Sequence, residues 1–277
     1  MQGKVAIVTG ASRGIGQIIA KTLSKRGVKI IAIARSMNNL SKTCQLIEDE
    51  GGQATPIMAD MTQSENFELL IKKASSVYGQ LDYLVNNAGI EQYQHFKNYS
   101  SEYIDNCLKT NLHAPILLSK AILPQLLEQG SGHIINIASL AGKKGVSYNS
   151  IYSASKSGLI IWTDAMRQEL SHTGVNISVV CPGFIRDSGM FHDSGQSAPK
   201  LLGSSLPQDV ADGVIKSIQK NSAEVIVNPG PMKPLLALNQ ISPRLGDWVV
   251  KLFGVPEMNR KRIELTKDFF MIPEILL

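Results

Sequence analysis

Short runs of β-branched and aliphatic residues without polar alternation recur along the chain, and between them apolar positions return at helical spacing. Residues 4–9, 28–34, 56–60, 81–86, 134–139 and 175–180 read as strands buried on both faces. After the first of them, Ile15, Ile18, Ile19 and Leu23 mark one helix face, which Arg26-Gly27 closes. Helices are predicted up to Gly51-Gly52, over 64–78, as one long element over 101–129, over 148–172 and over 207–220, before a last strand at 224–228. Strands alternating with helices predict an α/β fold on a doubly wound parallel sheet.

The first strand runs into Thr9-Gly10-Ala11-Ser12-Arg13-Gly14-Ile15-Gly16. Strand, glycine-rich turn and helix are the layout that binds a pyrophosphate, because backbone N–H groups approach the phosphates and the helix N-terminus adds partial positive charge. The spacing is G-x-x-x-G-x-G rather than G-x-G-x-x-G, and Ile19 stands where the third glycine of the commoner pattern would be. An NAD-type site carries an acid at the end of the second strand. Residues 31–40 contain none, and Arg35 sits there with Arg13 in the glycine loop. Two guanidiniums without a carboxylate suit a 2′-phosphate, hence NADP.

Further chemistry falls at the other strand ends. Asp60 is placed either to accept from an adenine amino group or to cap the next helix with Thr62 and Ser64. Asn86-Asn87-Ala88-Gly89 closes the fourth strand, Ser139 the fifth, and Cys181-Pro182-Gly183 the sixth. Tyr152 and Lys156, one helical turn apart, share a helix face. A cation beside a phenol lowers its pKa toward a working value, and a nearby hydroxyl such as Ser139 can hydrogen-bond a substrate oxygen where charge collects. Asn111, in the interior of the long helix, invites a functional reason or is a satisfied core amide. All of these except Asn111 and the Tyr152 helix fall on one sheet edge, where open α/β sheets hold ligands.

A length of 277 residues with 43% hydrophobic content suits one large α/β domain or two small ones. The net charge of +5 is spread along the chain, so it suits an anionic cofactor and does not imply nucleic acid. Cys44, Cys107 and Cys181 lack metal-ligand spacing and read as reduced core residues of a cytoplasmic protein. A strand beginning near Lys4 leaves no room for a signal peptide, and no apolar run is long enough to predict a spanning helix.

Taken in order, Thr9-Gly10-x-x-x-Gly14-x-Gly16, Asp60, Asn86-Asn87-Ala88-Gly89, Asn111, Ser139, Tyr152-x-x-x-Lys156 and Pro182-Gly183 resemble the short-chain dehydrogenase/reductase family over roughly residues 3–228. The resemblance implies a seven-stranded Rossmann sheet in the order 3-2-1-4-5-6-7. It implies that Tyr152 is the general acid in reduction, that Lys156 lowers its pKa and bonds the nicotinamide ribose, that Ser139 polarises the substrate oxygen, and that Asn111 holds a water of a proton relay. NADP(H) would lie along Gly10, Ser12, Arg13, Gly14, Ile15 and Gly16, with Arg35, Asp60 and Met61 on the adenosine side. Asn87, Ala88, Gly89, Pro182, Gly183 and Ile185 would line the rest. One departure stands at Asp187, where many relatives place a Thr for the carboxamide; Ser188 is the available substitute.

Residues 184–206 correspond to the variable substrate loop of that family, and their apolar side chains suit either a lipophilic carbonyl substrate or packing. Residues 1–228 form the expected Rossmann domain and 229–277 an extension. In the extension, Ser242-Pro243 forms a helix start. Leu245, Trp248, Val249, Leu252 and Phe253 mark an apolar face, with Arg244, Asp247 and Lys251 opposite. Residues 258–262 are basic, and the chain ends in an apolar run over 269–277. The extension covers the domain or active site, packs on a partner subunit, or lies at a membrane interface. A homodimer built on 101–129 and 148–172 is expected. The leading function is NADP-dependent hydride exchange with a lipophilic carbonyl/alcohol substrate; the rival is a catalytically silent NADP-binding regulator or scaffold.

Overall fold

The computed structural model describes residues 1–270, with side chains as far as Glu264. The expected apolar terminus over 271–277 lies outside the described residues. The strands are β1 (Val5–Thr9), β2 (Lys29–Ala34), β3 (Ala54–Met58), β4 (Tyr83–Asn86), β5 (Gly132–Ile137), β6 (Val175–Pro182) and β7 (Glu224–Val227). They form one parallel sheet in the order β3-β2-β1-β4-β5-β6-β7. Register is tight at the centre: Val8 stands opposite Ala32 on one side and Val85 on the other.

The helices are α1 (Gly14–Ser24), α2 (Met37–Glu48), α3 (Phe67–Tyr78), α4 (Ser101–Leu108), α5 (Ala114–Glu128), α6 (Ser150–Glu169), α7 (Pro207–Lys220), α8 (Met232–Ile241), α9 (Pro243–Leu252) and α10 (Val255–Phe270). Successive strand residues point to opposite faces, and the core divides accordingly. Ala6, Val8, Ile30 and Ala32 pack with Ile19 and Leu23 of α1, Leu40 of α2 and Val210 and Val214 of α7. Val5, Ile7, Ile31 and Ile33 pack with Leu70 and Ile71 of α3 and Leu118 and Ile122 of α5. This is why the strands read as continuous apolar runs: both faces are covered.

Three expectations change. The long helix over 101–129 is interrupted by a π turn at Lys109–His113 that carries Asn111. Such turns insert a residue into the helical ladder and recur at functional sites. At the start of α9 the Ser242 hydroxyl makes no capping bond; Gly246 N–H instead donates to its carbonyl at 3.1 Å, and Pro243 occupies the first turn. The expected apolar face of α9 is also split. Val249 is buried, whereas Leu245, Trp248 and Leu252 are 45%, 60% and 64% exposed. An additional helix, α8, precedes it and packs against it.

Candidate active site

The glycine turn after β1 is shaped by close approach. Gly10 has φ +66, and an added Cβ would stand 2.9 Å from Asn87 Nδ2 and 3.0 Å from Ala88 Cα. A Cβ on Gly16 would overlap the carbonyl oxygen of Gly10. The turn and the segment after β4 are therefore one unit. Thr9 Oγ1 accepts from Asn87 N–H and Ala88 N–H at 3.0 Å each, and Asn87 Nδ2 donates to Thr9 O at 3.0 Å. No side chain caps the N-terminus of α1, and its first turn holds no acid. Its N–H groups are thus aimed at the loop with nothing negative beside them, as a phosphate requires.

The two arginines expected on the adenosine side have different surroundings. Arg35 is exposed at the end of β2, with no carboxylate over 31–40. Arg13 donates to Asp193 Oδ2 at 2.6 Å, an ion pair that reaches from the glycine loop to the segment after β6. Asp60 closes a local turn and does not cap the next helix: its Oδ1 accepts from Thr62 N–H and Thr62 Oγ1, each at 2.9 Å, while the helical turn that starts at Ser64 has no side-chain cap. Met61 is buried among the core residues under α3. Ser12 sits half-buried on the loop.

The candidate catalytic group is assembled by β5, the π turn and α6. A Cβ on Gly142 would come within 2.6 Å of the Lys156 carbonyl carbon. That close approach lays the turn after Ser139 directly on α6. Ser139 and Tyr152 line the same pocket, and Ser139 Oγ accepts from Ala141 N–H at 3.1 Å. Lys156 Nζ lies 5.7 Å from the Tyr152 ring centroid and donates to Ile137 O at 2.8 Å. Tyr152 and Lys156 are both buried, at 6% and 3% exposure. Gly89 packs against this group: a Cβ there would stand 3.3 Å from Asn111 Oδ1 and in ordinary contact, at 3.6 Å, with Lys156 Nζ.

Burial, followed by the negative charge of Glu91, pushes the Tyr152 phenol well above its usual range, while the Ser139 hydrogen bond pulls it down. The sequence pointed to Lys156 as the group that lowers the phenol. Burial outweighs it in the free protein, because the low-dielectric surroundings disfavour the phenolate. The same burial brings Lys156 down to about 8. Burial thus favours the protonated form of Tyr152.

Asn111 is completely buried. Its Oδ1 accepts from Ile90 N–H at 2.8 Å, and its Nδ2 donates to Ile90 O at 2.9 Å and Ser155 Oγ at 3.2 Å. It clamps the segment after β4 to the catalytic helix. A reciprocal pair to one residue's backbone is what the π turn presents it for.

Over this group lies a pocket. Its floor contains Ser139, Tyr152, Lys156, Pro182, Gly183 and Ile185. Its roof comes from Ser188, Met190, Phe191 and Leu202 of the substrate loop, and its far wall from Met232, Leu236, Val250, Val255, Asn259 and Arg262 of the extension. Asp187 has φ +69 and is exposed, whereas Ser188 lines the pocket; its Oγ lies 3.4 Å from where a Cβ on Gly14 would stand. Sequence reasoning missed Glu91, Tyr93, Asn259 and Arg262. Glu91 accepts from Asn149 Nδ2 at 2.6 Å, and burial raises its carboxyl above the usual range, an effect opposed by Arg262. The Arg262 guanidinium stacks at 4.0 Å on Tyr93 and 4.9 Å on Phe191, and donates to Ser194 Oγ. Nothing in local sequence joins residues 91 and 262; only an acid two residues past Gly89 hinted at a role.

A phosphate cradle beside a buried phenol, hydroxyl and amine is the arrangement of a nicotinamide-dependent oxidoreductase. The short chain dehydrogenase family model matches residues 4–198, and the chain belongs to that short-chain dehydrogenase/reductase family. It is 48% identical over 280 residues to the ketoacyl reductase HetN of Nostoc sp., covering 99% of this chain and 98% of that protein. An uncharacterised oxidoreductase of Staphylococcus saprophyticus is 34% identical over 236 residues, 85% of this chain and 99% of its own length. Among solved structures, a metagenomic short-chain oxidoreductase in complex with NADP superposes with a TM-score of 0.71 at 33% identity, covering 82% of this chain and 97% of that one. Actinorhodin polyketide ketoreductase with NADPH gives a TM-score of 0.74 at 30% identity over 82% and 97% of the two chains. The protein is an NADP(H)-dependent oxidoreductase of this family, acting on a small molecule, and the residues fit that cofactor: a glycine turn in which Gly10 and Gly16 lie too close to neighbouring protein atoms to carry a Cβ, an α1 N-terminus without a side-chain cap, and Arg35 at the end of β2 where an acid would repel a 2′-phosphate. Among the described residues, no helix is long and apolar enough to cross a membrane, and no cluster of candidate ligands is suited to a metal.

Proposed function

We propose that the protein reduces a lipophilic ketone of the ketoacyl type at the expense of NADPH. The observation that carries this reading is the apolar pocket above Ser139 and Tyr152, walled by the substrate loop and by α8–α10. Bound NADPH supplies the hydride. Gly10, Gly14, Gly16, Asn87 and Gly89 would hold it, and Arg13 and Arg35 would meet its 2′-phosphate. Ser139 donates a hydrogen bond to the ketone oxygen, and Tyr152, kept protonated by burial, delivers the proton there as the carbonyl carbon is reduced to an alcohol. Lys156 restores the Tyr152 proton, and Asn111 keeps that group in register with the wall after β4. The name of the Nostoc relative supports the ketoacyl class.

Tyr152→Phe tests the reading. NADPH should bind nearly as in the native protein while ketone reduction falls by at least about a thousandfold, since general acid catalysis contributes roughly that much. Undiminished reduction removes Tyr152 from the acid role.

Residues 1–228 serve as the catalytic domain, and Met232, Leu236, Val250, Val255, Asn259 and Arg262 of the extension as a wall of its pocket. A homodimer through α4–α6 is favoured by Ile161, 67% exposed on α6, and Leu108, 37% exposed on α4. Ile241, Leu245, Trp248 and Leu252, beside the exposed Arg244 and Lys251, favour a peripheral lipid contact on the outer side of the same extension.

A further inference from the structure

Asn259 of α10 is completely buried, yet it lines the pocket. Its Nδ2 donates to Ser147 O at 3.3 Å, and its Oδ1 has no hydrogen-bond partner among the described residues. A buried amide oxygen without a donor is costly, and native interiors rarely leave one. Glu91, another acceptor, lines the same pocket and is held by Asn149 and Tyr93. The Arg262 guanidinium stacks on Tyr93 and ties α10 to the substrate loop through Ser194. The pocket therefore carries a polar wall of two acceptors and a cation, contributed largely by the extension, in addition to the polar side chains of Asn87, Lys144, Ser188 and Asn228 elsewhere in its lining. A group that donates on one side and carries a carbonyl on the other matches that wall.

We propose that Asn259 and Glu91 form a subsite that accepts a hydrogen bond from the N–H of a secondary amide in the substrate, remote from the reacting carbonyl. The extension thereby selects amide-bearing acyl ketones over simple ones. This rests on the reductase reading only for where the reacting carbonyl sits. A site built to hydrogen-bond a donor rejects the analogue that lacks it, because its own polar groups are then left unpaired.

The test uses two thioesters of 3-oxooctanoate: the N-acetylcysteamine thioester, and its isostere in which the amide N–H is replaced by an ester oxygen. Their Kd values are measured by calorimetry on the protein saturated with NADP+, and kcat/KM is measured with NADPH. The amide is expected to bind at least about tenfold more tightly, and Asn259→Leu should bring that ratio toward one. Circular dichroism and NADPH binding check that the variant is folded; if it is not, the wild-type ratio still decides. Equal affinity of the two thioesters for the native protein overturns the subsite, as does an Asn259→Leu variant that weakens both equally. Preferential amide binding without reduction of either compound leaves the subsite standing and removes the reductase reading.

Discussion

Arg13 and Asp193, far apart in sequence, form an ion pair of 2.6 Å between the glycine loop and the substrate loop. Both side chains are largely exposed, at 67% and 45%, so the pair contributes at most about 1 kcal/mol. Its consequence is for binding, because under the proposed role of Arg13 a 2′-phosphate would compete with Asp193 for the same guanidinium. Asp193→Ala is expected to tighten NADPH about two- to fivefold and leave NADH unchanged, while Arg13→Ala weakens NADPH. Fluorescence titration with both cofactors reads this out; an equal change for NADH would separate Arg13 from the phosphate.

Proton supply has its own pH signature. Burial brings Lys156 to about 8, so the ammonium that recharges Tyr152 is progressively lost above that pH. Reductive kcat/KM at saturating NADPH is expected to be level below pH about 8 and to fall above it. A rate that stays level to pH about 10 would show that Lys156 does not feed the proton.

His133, at the start of β5, gives the fold an acid limit. It is buried, its Nε2 pairs with Ser178 Oγ at 2.8 Å, and burial followed by the charge of Arg167 holds it down to about 4. The unfolded imidazole titrates near 6.5. Between those values the unfolded chain binds the extra proton, so stability falls as pH drops from about 6.5 to about 4. The loss is of order 3 kcal/mol at most by the size of that interval. His133→Gln should flatten the dependence in urea titrations at stepped pH; an unaltered slope would place the acid sensitivity elsewhere.

The outer face of α9 makes a separate prediction. Trp248 and Leu252 are exposed, and basic side chains flank them. The protein should co-sediment with vesicles containing anionic phosphatidylglycerol more than with neutral phosphatidylcholine vesicles, and Trp248→Ser with Leu252→Ser should lower the bound fraction several-fold. Binding unaffected by these changes, or absent on both vesicles, would assign the face to a partner subunit, which light scattering would then show as a concentration-dependent dimer.

Much was determined by the sequence alone. Apolar runs covered on both faces can only be strands of a central parallel sheet, so the order of elements was legible. Glycines at 10 and 16 were informative because a close approach of neighbouring chain leaves no room for a Cβ, and Gly14 because its φ of +60 is one that other residues rarely adopt. Ser139, Tyr152 and Lys156 were recognisable because their spacing is carried by one strand end and one helical turn. Tertiary structure decided the rest. That Tyr152 is held protonated follows from how deeply α6 is buried and from Glu91, neither of which spacing reveals. The face of α9 that turns inward depends on α8 and the pocket rim, and the moment of one helix cannot choose between two apolar partners. The polar wall of Glu91, Asn259 and Arg262 joins residues brought together only when the extension folds back over the sheet edge, because contact between distant segments is set by packing and not by any local pattern.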